Sequence, residues 1–253
     1  MVGLLWLMAG CQTAAPAKPQ AVTIFAAASL TDAFTELGQA FEAANPSVTV
    51  TFNFAGSSQL AAQLAEGVPA DVFASANARQ MEAAVASGRV EASAVQPFTT
   101  NQLVLIAPAD NPAGLTQLED LAQPNILLVT AVPGVPVRDY TDEIAAAVGT
   151  DFAAALAANI VSEEENVRQI VAKVALGEAD AGIVYTSDVT PDVRPNLTLI
   201  PIPAAQNIVA EYPIAPLADS ANPTLAAQFV AFVQSTAGQA ILAKWGFGAV
   251  LSN

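Results

Sequence analysis

The chain reads as an α/β protein of two lobes, each a central mixed or parallel sheet flanked by helices, with a ligand cleft between them. Three observations predict it. Apolar, β-branched runs alternate with segments of helical period. The alternation opens as β-α-β-α-β, an order that implies right-handed crossovers and parallel strands. And 253 residues, 53% hydrophobic and only 12% charged, hold enough apolar surface for more than one core at ~150 residues per domain.

Residues 22–27 (VTIFAA) form a continuous apolar run, the pattern of a strand covered on both faces. After Ser29, Leu30, Phe34, Leu37 and Phe41 recur at three- and four-residue steps, an amphipathic helix that Asn45-Pro46 stops. Residues 48–54 (VTVTFNF) alternate as a strand, and Ser57-Ser58 opens a helix carrying Leu60 and Leu64, ended by Gly67. A strand at 71–75 (DVFAS) and a helix at 79–86 complete the first series. The second series starts at 103–107 (LVLIA) and continues with a strand at 126–130 and a helix at 138–148, with Tyr140, Ile144 and Val148 along one side. A helix at 167–176 closed by Gly177 follows, then strands at 181–185 (AGIVY) and 197–201. Residues 212–216 (YPIAP) lead back, and helices at 225–234 and 238–244 end the chain. With no linker between the units, the chain is expected to cross near Asn101 and again near Glu211, giving residues 21–101 plus 212–253 as one lobe and 102–211 as the other. Ligands of such sheets bind at the carboxyl ends of parallel strands, so the cleft is the expected site.

Eight Lys and Arg against 23 Asp and Glu give a net charge of −15, without the basic footprint that nucleic-acid binding needs. The chain has no histidine, which removes Ser-His-Asp and Cys-His catalysis and His-ligated metals together. Ser29 and Ser57 lie in neither an SxxK nor a GxSxG context, so a serine hydrolase is not expected. The composition points to a binding protein without a cofactor. Residues 1–10 (MVGLLWLMAG) are too short to span a bilayer, which takes ~20 residues, and have the length of a signal-peptide apolar region. Ala9-Gly10-Cys11 resembles a bacterial lipobox, although no Lys or Arg precedes the run and Met8 stands where Leu is usual. A start codon upstream of Met1 would supply the missing basic residues. Residues 1–11 are read as a lipoprotein signal peptide with Cys11 as the lipidation site, and 12–20 as a spacer. The protein is then extracytoplasmic and touches the membrane through its lipid alone.

Helix starts are expected at Ser29, Ser57, Val137 and Val167. A helix start leaves N–H groups unpaired and carries partial positive charge, so it suits anions. Ser29 and Ser57 are either hydroxyl donors at such a site or N-caps of their helices.

Four stretches, VTIFAAASLTDAFTEL, FAGSSQLAAQLAEGVPADVFASA, NVRQIVAKVALGEADAGIVYTSD and YPIA, closely resemble the molybdate-binding proteins of bacterial ABC transporters. The similarity runs in register from about Val22 to Phe247. It implies the type II periplasmic binding-protein fold and capture of molybdate or tungstate for an ABC permease and its ATPase, by a monomer. Carried over, the oxyanion donors fall on Ser29 in AAASL, Ser57 in GSSQL, the backbone N–H groups of Val137 and Val167, and Tyr185 in GIVY. For Tyr185 the competing reading is a strand-end aromatic whose hydroxyl is bonded within the protein.

Molybdate near neutral pH is a dianion without protons, so it only accepts hydrogen bonds. Hydroxyls and N–H groups satisfy it, and a carboxylate would repel it. Phosphate keeps a proton and rewards a site with one acceptor; sulfate differs mainly in size and stays an alternative ligand. Arg138 departs from the resemblance, which has a small residue there. It is open to reaching the anion, forming a lobe-to-lobe ion pair with an acid such as Asp139, or facing solvent. Arg168 is expected to brace its helix start, and residues 163–165 (EEE) to form a solvated acidic run at a helix N-terminus.

Overall fold

The structure, a computed structural model, describes residues 20–250. Cys11, the segment 1–11 and the spacer apart from Gln20 lie outside the described residues. The first half of the chain folds as β1 (Gln20–Ala27), a 3-10 turn (Ala28–Leu30), α1 (Thr31–Ala44), β2 (Val48–Ala55), α2 (Ser57–Ala65), β3 (Val72–Ala74) and α3 (Ala78–Ala86). Next come β4 (Gln96–Pro108), β5 (Leu128–Ala131), α4 (Pro136–Val148), α5 (Thr150–Ala158), β6 (Ile160–Glu164), α6 (Val167–Ala175) and β7 (Ala181–Tyr185). The chain finishes with β8 (Leu197–Pro201), β9 (Val209–Pro216), α7 (Pro223–Gln234) and α8 (Thr236–Lys244). The spacer's last residue, Gln20, belongs to β1 instead.

These strands form one nine-stranded sheet ordered β2-β1-β3-β9-β4-β7-β5-β6, with β8 also on β4. It is mixed, not simply parallel. β1 runs parallel to β2 and β3, and β5 runs parallel to β6 and β7. Between these two groups β9 and β4 lie antiparallel to their neighbours. β4 changes partner midway: Gln102 pairs with Val209 of β9, and the next residue, Leu103, pairs with Tyr185 of β7. One strand therefore ties both parallel groups together.

The helical period of α1 puts Phe34, Leu37 and Phe41 on one buried face. Phe34 is fully buried and meets Phe52, Phe98 and Phe229 at tilted or edge-on angles, an arrangement aromatic quadrupoles favour. In the other group α6 buries Val167, Ile170, Val171 and Val174 against the sheet. That packing is close because Gly182 on β7 has no side chain: a Cβ there would lie 2.6 Å from Cγ2 of Ile170.

Two elements go beyond the sequence expectation. α5 is alanine-rich, and only Phe152 and Leu156 mark its buried side, too faint a period to read. β6 is an edge strand with alternating partial burial, ending in Glu163 and Glu164. The acidic run is thus largely strand. Glu163 pairs with Arg138 and Glu164 with Lys173, and charge of this kind guards a sheet edge from further pairing.

Since Gly182 sets the seat of α6, Gly182→Ala is expected to lower stability by ~1–3 kcal/mol, the usual range for overpacking a core. A denaturant titration with an unchanged midpoint would refute that seat.

Candidate functional site

Strand-to-helix junctions from both parallel groups converge on one cavity. β1 delivers Ser29, β2 delivers Ser57, the turn after β5 delivers Val137, the end of β6 delivers Val167, and β7 ends in Tyr185. All five line the same cavity, with the rest of its wall made by small or uncharged residues such as Ala28, Gly56, Pro136 and Asn166. Among the described residues no Asp, Glu, Lys or Arg lines it. About 10 Å³ is open to the centre of a water-sized sphere, room for about one water.

The local structure separates the two readings of the serines. Neither caps a helix. The N-cap of α1 is Leu30 and that of α2 is Gly56, and neither helix receives a side-chain cap. Ser29, in the 3-10 turn, holds its Oγ 2.9 Å from the hydroxyl of Tyr212. Ser57 is the first residue of α2, and its Oγ accepts the N–H of Ala76 at 3.1 Å. That bond uses an oxygen lone pair and leaves the serine proton to donate elsewhere.

Val137 is the second residue of α4, after Pro136, and Val167 the first of α6. First-turn amides have no partner within their own helix. Asn166 takes the amides of Arg168 and Gln169, and the carbonyl of Val135 takes those of Arg138 and Asp139. Among the described residues the amides of Ser57, Val137 and Val167 have no such acceptor. The Tyr185 hydroxyl is buried and without a hydrogen-bond partner, an uncommon condition for a buried polar atom. Burial holds its phenol well above the ordinary value, so it stays a neutral donor.

Contacts between the two groups ring the cavity. Gly56 lets them approach most closely, since a Cβ there would sit 2.4 Å from the carbonyl oxygen of Glu165. Arg79 and Asn77 meet Asp139, and Gln80 donates to the carbonyl of Gly134. Arg168 spans the groups, 2.6 Å from Asp32 on α1 and 2.9 Å from the buried Asp188. Arg138 follows none of its three expected courses. It is mostly buried, pairs with Asp142 and Glu163 and donates to the carbonyl of Ala131, bracing the start of α4 from behind.

Two residues that line no part of the predicted set stand directly behind it. Tyr212 on β9 and Asn101 on β4 are buried and linked through hydrogen bonds to Ser29 and to Ser187. The sequence signals are a polar Thr99-Thr100-Asn101 run entering an apolar strand and the YPIA stretch that opens with Tyr212.

The family model described as bacterial extracellular solute-binding protein matches residues 22–248. The chain belongs to that family. Over 251 residues it is 40% identical to the molybdate-binding protein ModA of Mycobacterium tuberculosis, covering 98% of this chain and 93% of the relative. The substrate-binding domain of a putative molybdenum ABC transporter from Clostridium difficile superposes with a TM-score of 0.68 at 26% identity, covering 92% of this chain and all of that one. The sulfate-binding protein SubI of Mycobacterium tuberculosis has a TM-score of 0.83 at 21% identity, over 91% of this chain and 87% of its own, a likeness of fold. The fold of this solute-binding protein is the type II periplasmic one.

Asp188 supports the site from beneath, accepting the N–H of Tyr185. Burial pushes its carboxyl up from 3.8 to about 6, against the pull of Arg168. The stability it contributes is therefore full below pH 3.8 and is lost as pH rises through about 6. In thermal melts across that range, the advantage of the wild type over Asp188→Asn is expected to shrink as pH rises. An advantage that grows with pH would contradict this.

Proposed function

We propose that this solute-binding protein captures molybdate, and tungstate with it, and delivers the oxyanion to an ABC permease and its ATPase. The observation that carries the reading is the cavity wall: among the described residues it holds hydroxyl groups, helix-start amides without a protein acceptor, and no charged side chain. Such a wall suits a small anion that brings only acceptors. Partial positive charge comes from the starts of α2, α4 and α6, and counts for most where water is excluded. The family membership and the molybdate-binding relative at 40% identity support the same ligand class.

In this reading residues 21–101 plus 212–253 and residues 102–211 are two lobes that close over the ion, with β4 and β9 as the crossings. Ser29 and Ser57 donate from one lobe; Val137, Val167 and Tyr185 donate from the other. The metal atom meets no protein ligand, because its own oxygens face the wall. The role is binding, not catalysis: no acid, base or activated nucleophile lines the cavity. The protein acts as a monomer outside the cytoplasm, held to the membrane by a lipid on Cys11. Sulfate is the second reading, favoured by the same donor set, since it too is a tetrahedral dianion without a proton.

Calorimetric titration with molybdate, tungstate, sulfate and phosphate separates these readings. The metal oxyanions are expected to bind most tightly, and failure of both to bind, or a preference for sulfate, would overturn the assignment. Ser57→Ala is expected to weaken molybdate by ~1–3 kcal/mol, the range for a hydrogen bond to a charged group. Unchanged affinity would remove Ser57 from the site.

A further inference from the structure

Behind Ser29 lies a hydrogen-bond chain anchored on an amide whose orientation can be worked out. It starts at Asn101, where the backbone N–H of Gln102 points at Oδ1 from 3.0 Å. An N–H can only donate, so that side of the amide is the oxygen; Thr186 Oγ1 donates to the same oxygen at 3.0 Å. The other side is then the NH2 group, and its two protons go to Ser187 Oγ at 2.8 Å and to the Tyr212 hydroxyl at a longer 3.4 Å. The Tyr212 hydroxyl thus accepts from Asn101 and lies 2.9 Å from Ser29 Oγ, a pair in which either hydroxyl can donate. Burial holds the Tyr212 phenol well above its ordinary value, so it keeps its proton. When Tyr212 donates to Ser29, the Ser29 proton is left for the cavity, since Ser29 Oγ has no other partner among the described residues.

We infer that Asn101 and Tyr212 are positioning residues that fix Ser29 as a hydrogen-bond donor, and so make the site reject oxyanions that carry a proton. The inference rests on the reading of the cavity as an oxyanion site. Without the Tyr212 hydroxyl, the Ser29 hydroxyl is free to rotate, and both lone pairs of Oγ are available to accept where the Tyr212 bond had occupied one. A proton-bearing tetrahedral anion such as hydrogen phosphate then finds more acceptor capacity than the intact chain offers. A fully deprotonated ion finds a donor that must be oriented anew at each binding event.

Tyr212→Phe tests this, because it keeps the ring that packs against Phe98, Tyr185 and Phe247 and removes only the hydroxyl. Molybdate and inorganic phosphate are titrated into wild type, Tyr212→Phe, Ser29→Ala and the double variant, with circular dichroism to confirm folding. The expected result is a loss of roughly tenfold in molybdate affinity and a narrower preference for molybdate over phosphate. In the Ser29→Ala background Tyr212→Phe should have no further effect on molybdate. A structural role alone would lower affinity in both backgrounds alike and leave the preference unmoved; either result overturns the inference. Should Tyr212→Phe not fold, Asn101→Ala takes its place, with the same direction of change expected and the same two results against it. If wild type binds molybdate and the variants keep its preference, only this inference falls. If wild type binds no oxyanion, the assignment beneath it falls as well.

Discussion

Unpaired hydrogen-bond donors that face one shared cavity are the constraint on which this molecule is built. The first turn of any helix leaves amides without an internal acceptor, and solvent normally satisfies them. Here the amides of Ser57, Val137 and Val167, with the hydroxyl of Tyr185, open on a cavity with room for about one water. Among the described residues no carboxylate lines that cavity to accept from them. An ion made entirely of acceptors matches all of them at once. No cation lines it among those residues either, and a neutral donor set recognises where a ligand carries protons as well as its charge.

The sheet explains how donors from distant parts of the chain meet. Parallel strands aim their carboxyl ends, and the helices that follow, in one direction; two such groups joined through antiparallel β9 and β4 set their junctions face to face. Close approach then depends on what is missing as well as on what is present. Gly56 offers the carbonyl of Glu165 no Cβ to strike, and Gly182 lets α6 settle on β7 so that Val167 reaches the wall. Arg168, between Asp32 and Asp188, ties the two groups beside that wall without entering it.

Much of this is legible in the sequence for a physical reason. Strands such as 22–27 and 181–185, covered on both faces, must be continuously apolar, and α1 and α6 must repeat at the helical period; both patterns survive in a single chain. The junction residues are legible because the resemblance marks AAASL, GSSQL, NVR and GIVY; the role proposed for Val137 and Val167 runs through backbone, so their side chains carry no sign of it. α5 and β6 escape because alanine helices and half-exposed edge strands bury too little to leave a period. Arg138 escapes because its partners, Asp142 and Glu163, are brought together only by the fold. Asn101 and Tyr212 are 111 residues apart, and their pairing is a product of strand order, which local pattern does not encode.

The central claim is that neutral donors from both halves of the molecule hold a doubly negative tetrahedron without a cationic side chain. A crystal grown with molybdate, with diffraction recorded at the molybdenum absorption edge, tests it most directly. The account predicts one anomalous peak inside the cavity, its oxygens within hydrogen-bond distance of the Ser29, Ser57 and Tyr185 hydroxyls and the Val137 and Val167 amides. A peak outside the cavity, or one in contact with Arg79, Arg168 or any lysine, would contradict it.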